Sequence, residues 1–324
     1  MKGRFNRYMH RLEWIKGRSS MKISVIIPAW NAERYIAKAI ESCLRQTFPP
    51  HEIVVVDDAS TDSTAEVAES FPSPVQVIRL AENMGVSVAR NRGVQASTGD
   101  WLAFLDADDW FLPEKLDAQR RCALEHEHAV LIYTGFLSSL DGVESPARFN
   151  PPTVLEPMLR YNCAFHVGTV ALRRDAFDAV GGFDSSHKGT EDWDLWLRLA
   201  ARYSVQAFAA VPEPLAVYRT TPGSLSSNTM RMFKAKAGMI DGRCLYGTTC
   251  VSRRLWRRRV SAFQHYDVSI ALRAERSPLD LPFILKSVVL WPFPWSDMPK
   301  RYKIAAFMIK QHLLKYLPML SPQT

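Results

Sequence analysis

The five cysteines, Cys43, Cys122, Cys163, Cys244 and Cys250, form no CxxC pair and are odd in number. Their spacing argues against a disulfide framework and a zinc site, and for a reducing compartment. No apolar run approaches the roughly 20 residues that a spanning helix needs. The best stretch, LPFILKSVVLWPFPW at 281–295, is interrupted by Lys286 and three prolines and reads as a core or interfacial segment. The first residues carry positive charge without the apolar stretch of a cleavable signal, so a cytoplasmic location is expected. Internal repeats and low-complexity tracts are also missing, which excludes solenoids and linkers. Acidic residues are scarce only at the ends: residues 1–22 hold seven Lys/Arg against one acid, and 231–324 hold seventeen against five. The overall charge of +8 therefore conceals a segment, 23–230, of net −10.

At 324 residues the chain can bury a large core, as one large or two modest domains. MKISVIIPAWN from Met21 reads as a natural start, which would make the preceding residues an upstream extension. There Phe5, Tyr8, Met9, Leu12 and Ile15 recur at helical spacing among basic residues and predict an amphipathic helix. From 23 to about 134 short β-rich runs at Ile23–Ile27, Ile53–Val56, Val75–Leu80, Trp101–Leu105 and Ala129–Tyr133 alternate with helical stretches at about 33–46, 62–70, 86–97 and 114–125. Nearly continuous apolar strands in such alternation call for a parallel sheet covered on both faces. Ligands of open sheets gather beyond the carboxyl ends of the strands, where PAWN, DDAST and DADDW all fall. Further on, the pattern predicts a short helix near 154–161, a strand at His166–Leu172, a helix from Arg174 to Val180, a stronger helix from Thr190, and strands at Val205–Ala210 and Leu215–Tyr218. Beyond about 228 the chain reads as helical and basic, with RRLWRRR at 253–259 and KRYKIAAFMIKQHLLKYL at 300–317.

Four stretches carry candidate chemistry. In LAFLDADDW, an extended backbone would put Asp106 and Asp108 on one side and Asp109 on the other. Two carboxylates on one side suit Mg²⁺ or Mn²⁺ completed by a substrate's phosphates; a turn with Asx caps before the next helix explains the same residues equally well. In VVVDDASTDST, Asp57 or Asp58 at a strand end can accept hydrogen bonds from a nucleobase or ribose, while Asp62 reads as a helix cap. In ENMGVSVARNRGV, Gly85 allows close backbone approach, and Arg90 or Arg92 can neutralise phosphate or pair with an aspartate, a solvated charge being the plain alternative for either; Arg90, at helical spacing from Val86 and Val94, is the one expected to point inward. In GTEDWDLWLRLA, Thr190 is an N-cap and Glu191 and Asp192 lie in the first turn, where the helix dipole favours their ionised form. Trp193, Trp196, Leu197 and Ala200 make a buried stripe, leaving Glu191, Asp194 and Arg198 on another face. A carboxylate there can serve as a general base or simply cap the helix. His166 and His187 remain open as metal ligands or acceptor contacts.

Taken in order, ISVIIPAWNAERYIAKAIESCLRQT, IVVVDDASTDST, NMGVSVARNRG, LAFLDADDW and GGFD with TEDWDLWLRL resemble the family-2 glycosyltransferases, inverting nucleotide-sugar enzymes of GT-A fold, across about residues 22–220. The resemblance implies an α/β fold: a Rossmann-like, mainly parallel sheet with helices on both faces, plus a C-terminal helical extension. The expected layout is a basic extension at 1–21, a GT-A domain at 22–228 with donor half to about 110 and acceptor half beyond, and a basic helical region at 229–324. It implies that Asp58 or Asp57 holds the base of a UDP-, GDP- or dTDP-sugar, with the turn Pro28, Ala29, Trp30 and Asn31 beneath it. Gly85, Arg90 and Asp106 would complete the donor site, Asp108 with Asp106 would hold Mg²⁺ or Mn²⁺, and Asp192, next to Glu191, would deprotonate the acceptor hydroxyl. The QxxRW motif of processive synthases is missing, which favours single addition to a glycan or lipid-linked acceptor. The basic ends, 1–20 and 250–324, fit peripheral contact with the anionic inner face of the cytoplasmic membrane. A nucleotidyltransferase would need a glycine-rich loop after the first strand, where PAWNAERY has none. A nucleic-acid or anionic-surface binder using the basic ends is the other alternative, with no nucleic acid expected on the favoured reading.

Overall fold

The computed structural model describes residues 21–140, 143–145, 148–153, 155, 159, 165–220, 229–242, 258, 260–266, 268–270, 272, 280–290, 305–306 and 309. The predicted helices at 1–20 and, for the most part, 154–161, RRLWRRR and the 300–317 stretch lie outside these residues. The chain divides into two compact units, residues 1–159 with 163–222, and residues 160–162 with 223–324.

The first unit is a nine-stranded sheet. Its elements in chain order are β1 (Ile23–Ala29), α1 (Ile36–Leu44), β2 (Glu52–Asp57), α2 (Thr64–Glu69), β3 (Val75–Arg79), α3 (Val86–Ala96), β4 (Trp101–Phe104), β5 (Trp110–Phe111), α4 (Lys115–Glu125), β6 (Leu131–Leu140), β7 (Val143–Glu144), β8 (Val170–Arg173), α5 (Arg174–Ala179), α6 (Glu191–Tyr203) and β9 (Phe208–Arg219). The spatial order is β3-β2-β1-β4-β8-β6-β9-β5, with β7 paired to β6. β1, β2, β3 and β4 are parallel neighbours, and β6 and β9 pair in parallel. β8 enters antiparallel between β4 and β6, and β5 runs antiparallel to β9.

Alternation along fully buried strands loads both faces. Ile23, Val25 and Ile27 of β1 join Ile36, Ala39, Ile40 and Cys43 of α1 in one core. On the opposite face Ile26 and Val56 meet α3 so closely that a Cβ on Gly93 would lie 2.4 Å from the Ile26 side chain. Each such aliphatic side chain contributes roughly 1.5–3 kcal/mol by burial. Phe104 stacks edge-on against Phe183 at 5.1 Å.

Two local expectations change. β9 is one strand rather than two short ones, because a bulge absorbs Pro212 and Pro214 where the register with β6 shifts around Gly135. A side chain at Gly135 would strike the Pro212 carbonyl oxygen at 2.9 Å. The predicted strand at His166 begins only at Val170, because His166 accepts hydrogen bonds from the N–H groups of Gly168 and Thr169 and turns the chain into a short 3₁₀ segment.

The second unit contains α7 (Thr229–Gly242) and α8 (Asp280–Leu290). His265 packs between Phe233 of α7 and Phe283 of α8, with ring centroids at 5.0 and 5.4 Å. No helix among the described residues is long and apolar enough to cross a membrane.

Candidate active site

Pro28 decides where the site opens. Strand parity directs the position of its missing N–H toward β4, so the β1–β4 ladder ends with Leu105 N–H donating to the Ile26 carbonyl. β4 then leaves the sheet and the acidic stretch begins. Pro28 and Ala29 are themselves buried strand residues paired with Val56 and Asp57, which corrects the expectation of a four-residue turn. The turn is Trp30, which is exposed, and Asn31, in left-handed conformation at φ 49°. Asn31 staples two loops: its Oδ1 accepts from Thr61 N–H at 2.9 Å, and its own N–H donates to Ser60 Oγ at 2.9 Å. Asp62 accepts from Glu33 N–H and from Thr64 N–H at the start of α2, so it joins the same loops, while Ser63 rather than Asp62 occupies the N-cap position.

The neighbouring aspartates at the end of β2 have different surroundings. Asp58 accepts the N–H groups of Met84 and Gly85, one on each carboxylate oxygen and both at 2.8 Å. It therefore clamps the loop that leads into α3. Gly85 makes this possible at φ 90° and ψ 159°, a backbone region that is essentially glycine-only. Asp57 is buried, with Oδ2 accepting from Ser60 N–H at 3.3 Å and Oδ1 lacking a partner.

After β4 the backbone turns instead of staying extended, because Asp109 N–H donates to the Asp106 carbonyl at 3.0 Å. The predicted separation of Asp109 from Asp106 is thereby overturned. Ligand atoms of Asp106, Asp109 and His166 all lie within 4.8 Å of one another. Arg90 points inward, buried under this turn. Its Nη2 donates to Asp106 Oδ1 at 2.7 Å and its Nη1 to Glu191 Oε1 at 3.0 Å. The second oxygen of Glu191 accepts from Gly189 N–H at 2.8 Å. One guanidinium thus joins the acidic turn to the first turn of α6, where half-buried Asp192 accepts from Trp193 N–H at 2.7 Å.

Burial raises the Asp106 carboxyl, but the charges of Arg90 and His166 outweigh it and hold the group below its ordinary value. Asp108 is raised by burial and by the charge of Asp106. Asp109 is raised well above the ordinary value by burial and by both neighbouring carboxylates. Burial lowers His166. Crowded carboxylates of this kind, with an imidazole beside them, fit a hard divalent cation, which would relieve their mutual repulsion.

Thr190 occupies the N-cap position of α6, but its side chain makes no cap bond. The proposed polar face of α6 is also corrected. The helix is buried nearly all round, so its charges pair inward with different partners: Glu191 with Arg90, and Asp194 with Arg198 at 2.7 Å. Arg198 also donates to the carbonyls of Val180 and Gly182, fixing the turn after α5. His187 lies near Asp184 and Asp194. The residue that sequence reasoning missed altogether is Arg219, at the end of β9. Its N–H donates to Asp109 Oδ1 at 2.8 Å and its Nε to the Asp108 carbonyl at 3.1 Å. Only its place at the end of a strand marks it in the sequence.

The family model described as glycosyl transferase family 2 matches residues 24–181. TuaG of Bacillus subtilis, a glycosyltransferase provisionally named for teichuronic acid biosynthesis, is 32% identical over 222 residues, spanning 65% of this chain and 84% of TuaG. Among solved structures, TarS of S. aureus in complex with UDP-GlcNAc superposes with a TM-score of 0.58 at 20% identity, over 83% of this chain and 81% of that one. The mannosyltransferase PcManGT from Pyrobaculum calidifontis, in complex with GDP-Man and Mn2+, gives a TM-score of 0.59 at 18% identity, over 97% and 88%. At those identities the structural likeness establishes the fold.

Proposed function

Given that the chain belongs to glycosyl transferase family 2, we propose that it moves one sugar from a UDP-, GDP- or dTDP-sugar to a hydroxyl of a cell-envelope glycan or lipid-linked acceptor, with inversion. The observation that carries this reading is the Arg90 bridge, which brings Asp106 and the Glu191–Asp192 turn to one place.

Asp192 is the base. Both oxygens of Glu191 already accept hydrogen bonds, so Glu191 positions the turn, while Asp192 is half-buried at a helix N-terminus that favours its ionised form. It takes the acceptor hydroxyl proton as that oxygen attacks the anomeric carbon. The bond from that carbon to the diphosphate breaks, and its electron pair leaves with the nucleoside diphosphate. Asp57, with a buried oxygen to satisfy, is the better candidate for the nucleobase, and Asp58 holds the loop beside it. Trp30 offers an exposed ring at the same edge. Asp106 and Asp108 would hold Mg²⁺ or Mn²⁺, which supplies charge neutralisation for the departing diphosphate when bound. A second ligand set, Asp106, Asp109 and His166, is favoured by their mutual distances. Mn²⁺ titrations of Asp108→Asn and His166→Ala separate the two.

Peripheral contact with an anionic membrane at the cytoplasmic face is part of the same reading. It is supported by the basic ends and by α8, which exposes Leu285, Lys286 and Val289 on one face.

The test is a panel of UDP-, GDP- and dTDP-sugars with Mn²⁺, scored for release of nucleoside diphosphate. Asp192→Asn is expected to lose about 10²–10⁴ in turnover while retaining donor binding. Absence of release from every donor, together with salt-dependent DNA binding, would replace the enzyme with a binding protein.

A further inference from the structure

The sequence offers Arg90 as the cation for the donor's phosphates, but the structure engages it elsewhere. Both Nη groups are bonded to carboxylates and the side chain is only 3% exposed. A departing diphosphate then has no cation from Arg90, and the transfer proposed above leaves an electron pair on it. Arg219 is placed differently. It is anchored by its backbone N–H to Asp109 and by Nε to the Asp108 carbonyl, and its guanidinium lies 4.6 Å from the Tyr35 ring and 5.5 Å from the Trp110 ring. Among the described residues neither Nη has a hydrogen-bond partner and no carboxylate pairs with it. Lys38 Nζ sits 3.1 Å from the centroid of the same Trp110 ring, also without an ion pair, although the field of Glu144 reaches it. The charge of Arg219 helps to lower the Lys38 ammonium, second to burial, so the two cations feel each other. The field of Arg219 reaches Asp108 and Asp109, but its two Nη groups and the Lys38 ammonium, held together on aromatic faces, keep donors that a phosphate would fill. An arginine with its fork unpaired is well matched to that anion.

We infer that Arg219, assisted by Lys38, binds the diphosphate of the donor sugar nucleotide and stabilises the charge on it as the bond to the sugar breaks. This rests on the glycosyltransfer reading above. The rings of Trp110 and Tyr35 flank the guanidinium, and the Asp108 carbonyl accepts from its Nε. The phosphate-contacting cation would thus come from the end of β9, more than a hundred residues beyond α3.

Arg219→Gln, Arg219→Lys and Lys38→Gln are compared with the wild-type chain in Mn²⁺, using UDP, GDP and dTDP, the matching nucleosides, and whichever nucleotide sugar the wild type turns over. Arg219→Gln is expected to lower turnover by roughly 10²–10³-fold. It should weaken nucleoside diphosphate binding by about ten- to a hundredfold and leave the uncharged nucleoside's affinity unchanged. A merely structural role would weaken both ligands alike. Arg219→Lys should recover part of the loss, and Lys38→Gln, at an exposed position, should weaken the diphosphate by a smaller factor. If Arg219→Gln does not fold, the last two variants carry the comparison. Diphosphate affinity and turnover within about threefold of wild type in the variants that fold would overturn the inference and leave the glycosyltransferase standing. A wild-type chain that neither turns over a nucleotide sugar nor binds any nucleoside diphosphate would overturn both.

Discussion

Replacing Arg90 with methionine removes the charge at the centre of the site while keeping an unbranched side chain. Two carboxylates lose their shared partner: Glu191, whose side chain is 10% exposed, and Asp106, at 27%. Removing one member of a buried ion pair typically costs about 3–5 kcal/mol, because the remaining charge stays buried. Glu191 keeps its bond from Gly189 N–H and Asp106 has some solvent, so the lower part of that range is expected. At about 2–4 °C per kcal/mol for a unit of this size, the melting temperature should fall by roughly 6–15 °C. The pH dependence is the sharper test. In the wild type Asp106 is held below its ordinary value, so the unfolded chain binds more protons near pH 4, and the pair's stabilisation is present above that range and lost on acidification. In Arg90→Met burial raises Asp106 instead, and stability falls as pH rises through the new value. The gap between the two proteins should therefore widen from about pH 4 to pH 7 in urea titrations. A gap that is constant, or that narrows over that interval, would refute the assignment of Arg90 as the counter-ion that holds the two motifs together.

Two further outcomes follow from the backbone and the core. Gly85→Ala is expected to cost about 1–3 kcal/mol, from backbone strain alone, since an added Cβ would meet nothing within 4 Å; an unchanged urea midpoint would show that the loop relaxes. Lys115 is fully buried, bonded to Gln119 and set over the Phe111 ring, and burial lowers its ammonium from 10.5 to about 7. Between pH 7 and 10 the unfolded chain holds the extra proton, so wild-type stability gains on the Lys115→Met variant as pH rises. The difference should change by up to roughly 4 kcal/mol between pH 6 and 10, and a flat difference in paired urea titrations would be the contrary result.

The GT-A architecture was legible because it is written locally. β1 to β4 are short runs bounded by polar turns, α1 to α3 separate them at the predicted places, and α4 follows where it was expected. β8 was the harder element, since nothing in residues 170–173 says that they insert antiparallel between β4 and β6, a pairing across about 70 residues on the β4 side. The orientation of Asp109 was misjudged for a definite reason. Alternation of side chains holds only while the backbone is extended, and a single hydrogen bond to the Asp106 carbonyl ended that condition. The inward direction of Arg90 was readable from its spacing along α3, whereas its two partners, sixteen and a hundred and one residues away, were not.

Adjacent acids at this site differ in their protein partners. Asp58 has the Met84 and Gly85 amides on both oxygens, while Asp57, one place earlier and alternating to the other side of β2, keeps a buried oxygen without a donor. Glu191 has Arg90 and Gly189, and Asp192 next to it stays half-buried. Asp109 takes the Arg219 amide, and Asp108 contributes its carbonyl to the same arginine while its carboxyl is pushed upward by burial and then by Asp106. Asp58 and Glu191 each have a protein donor on both carboxylate oxygens, and each fixes a loop. A buried or half-buried acid with capacity left over is costly unless a ligand, a proton or a cation completes it. On the proposed reading, the unpartnered oxygen of Asp57 is the one a substrate would complete, while Asp58 and Glu191 belong to the frame around it.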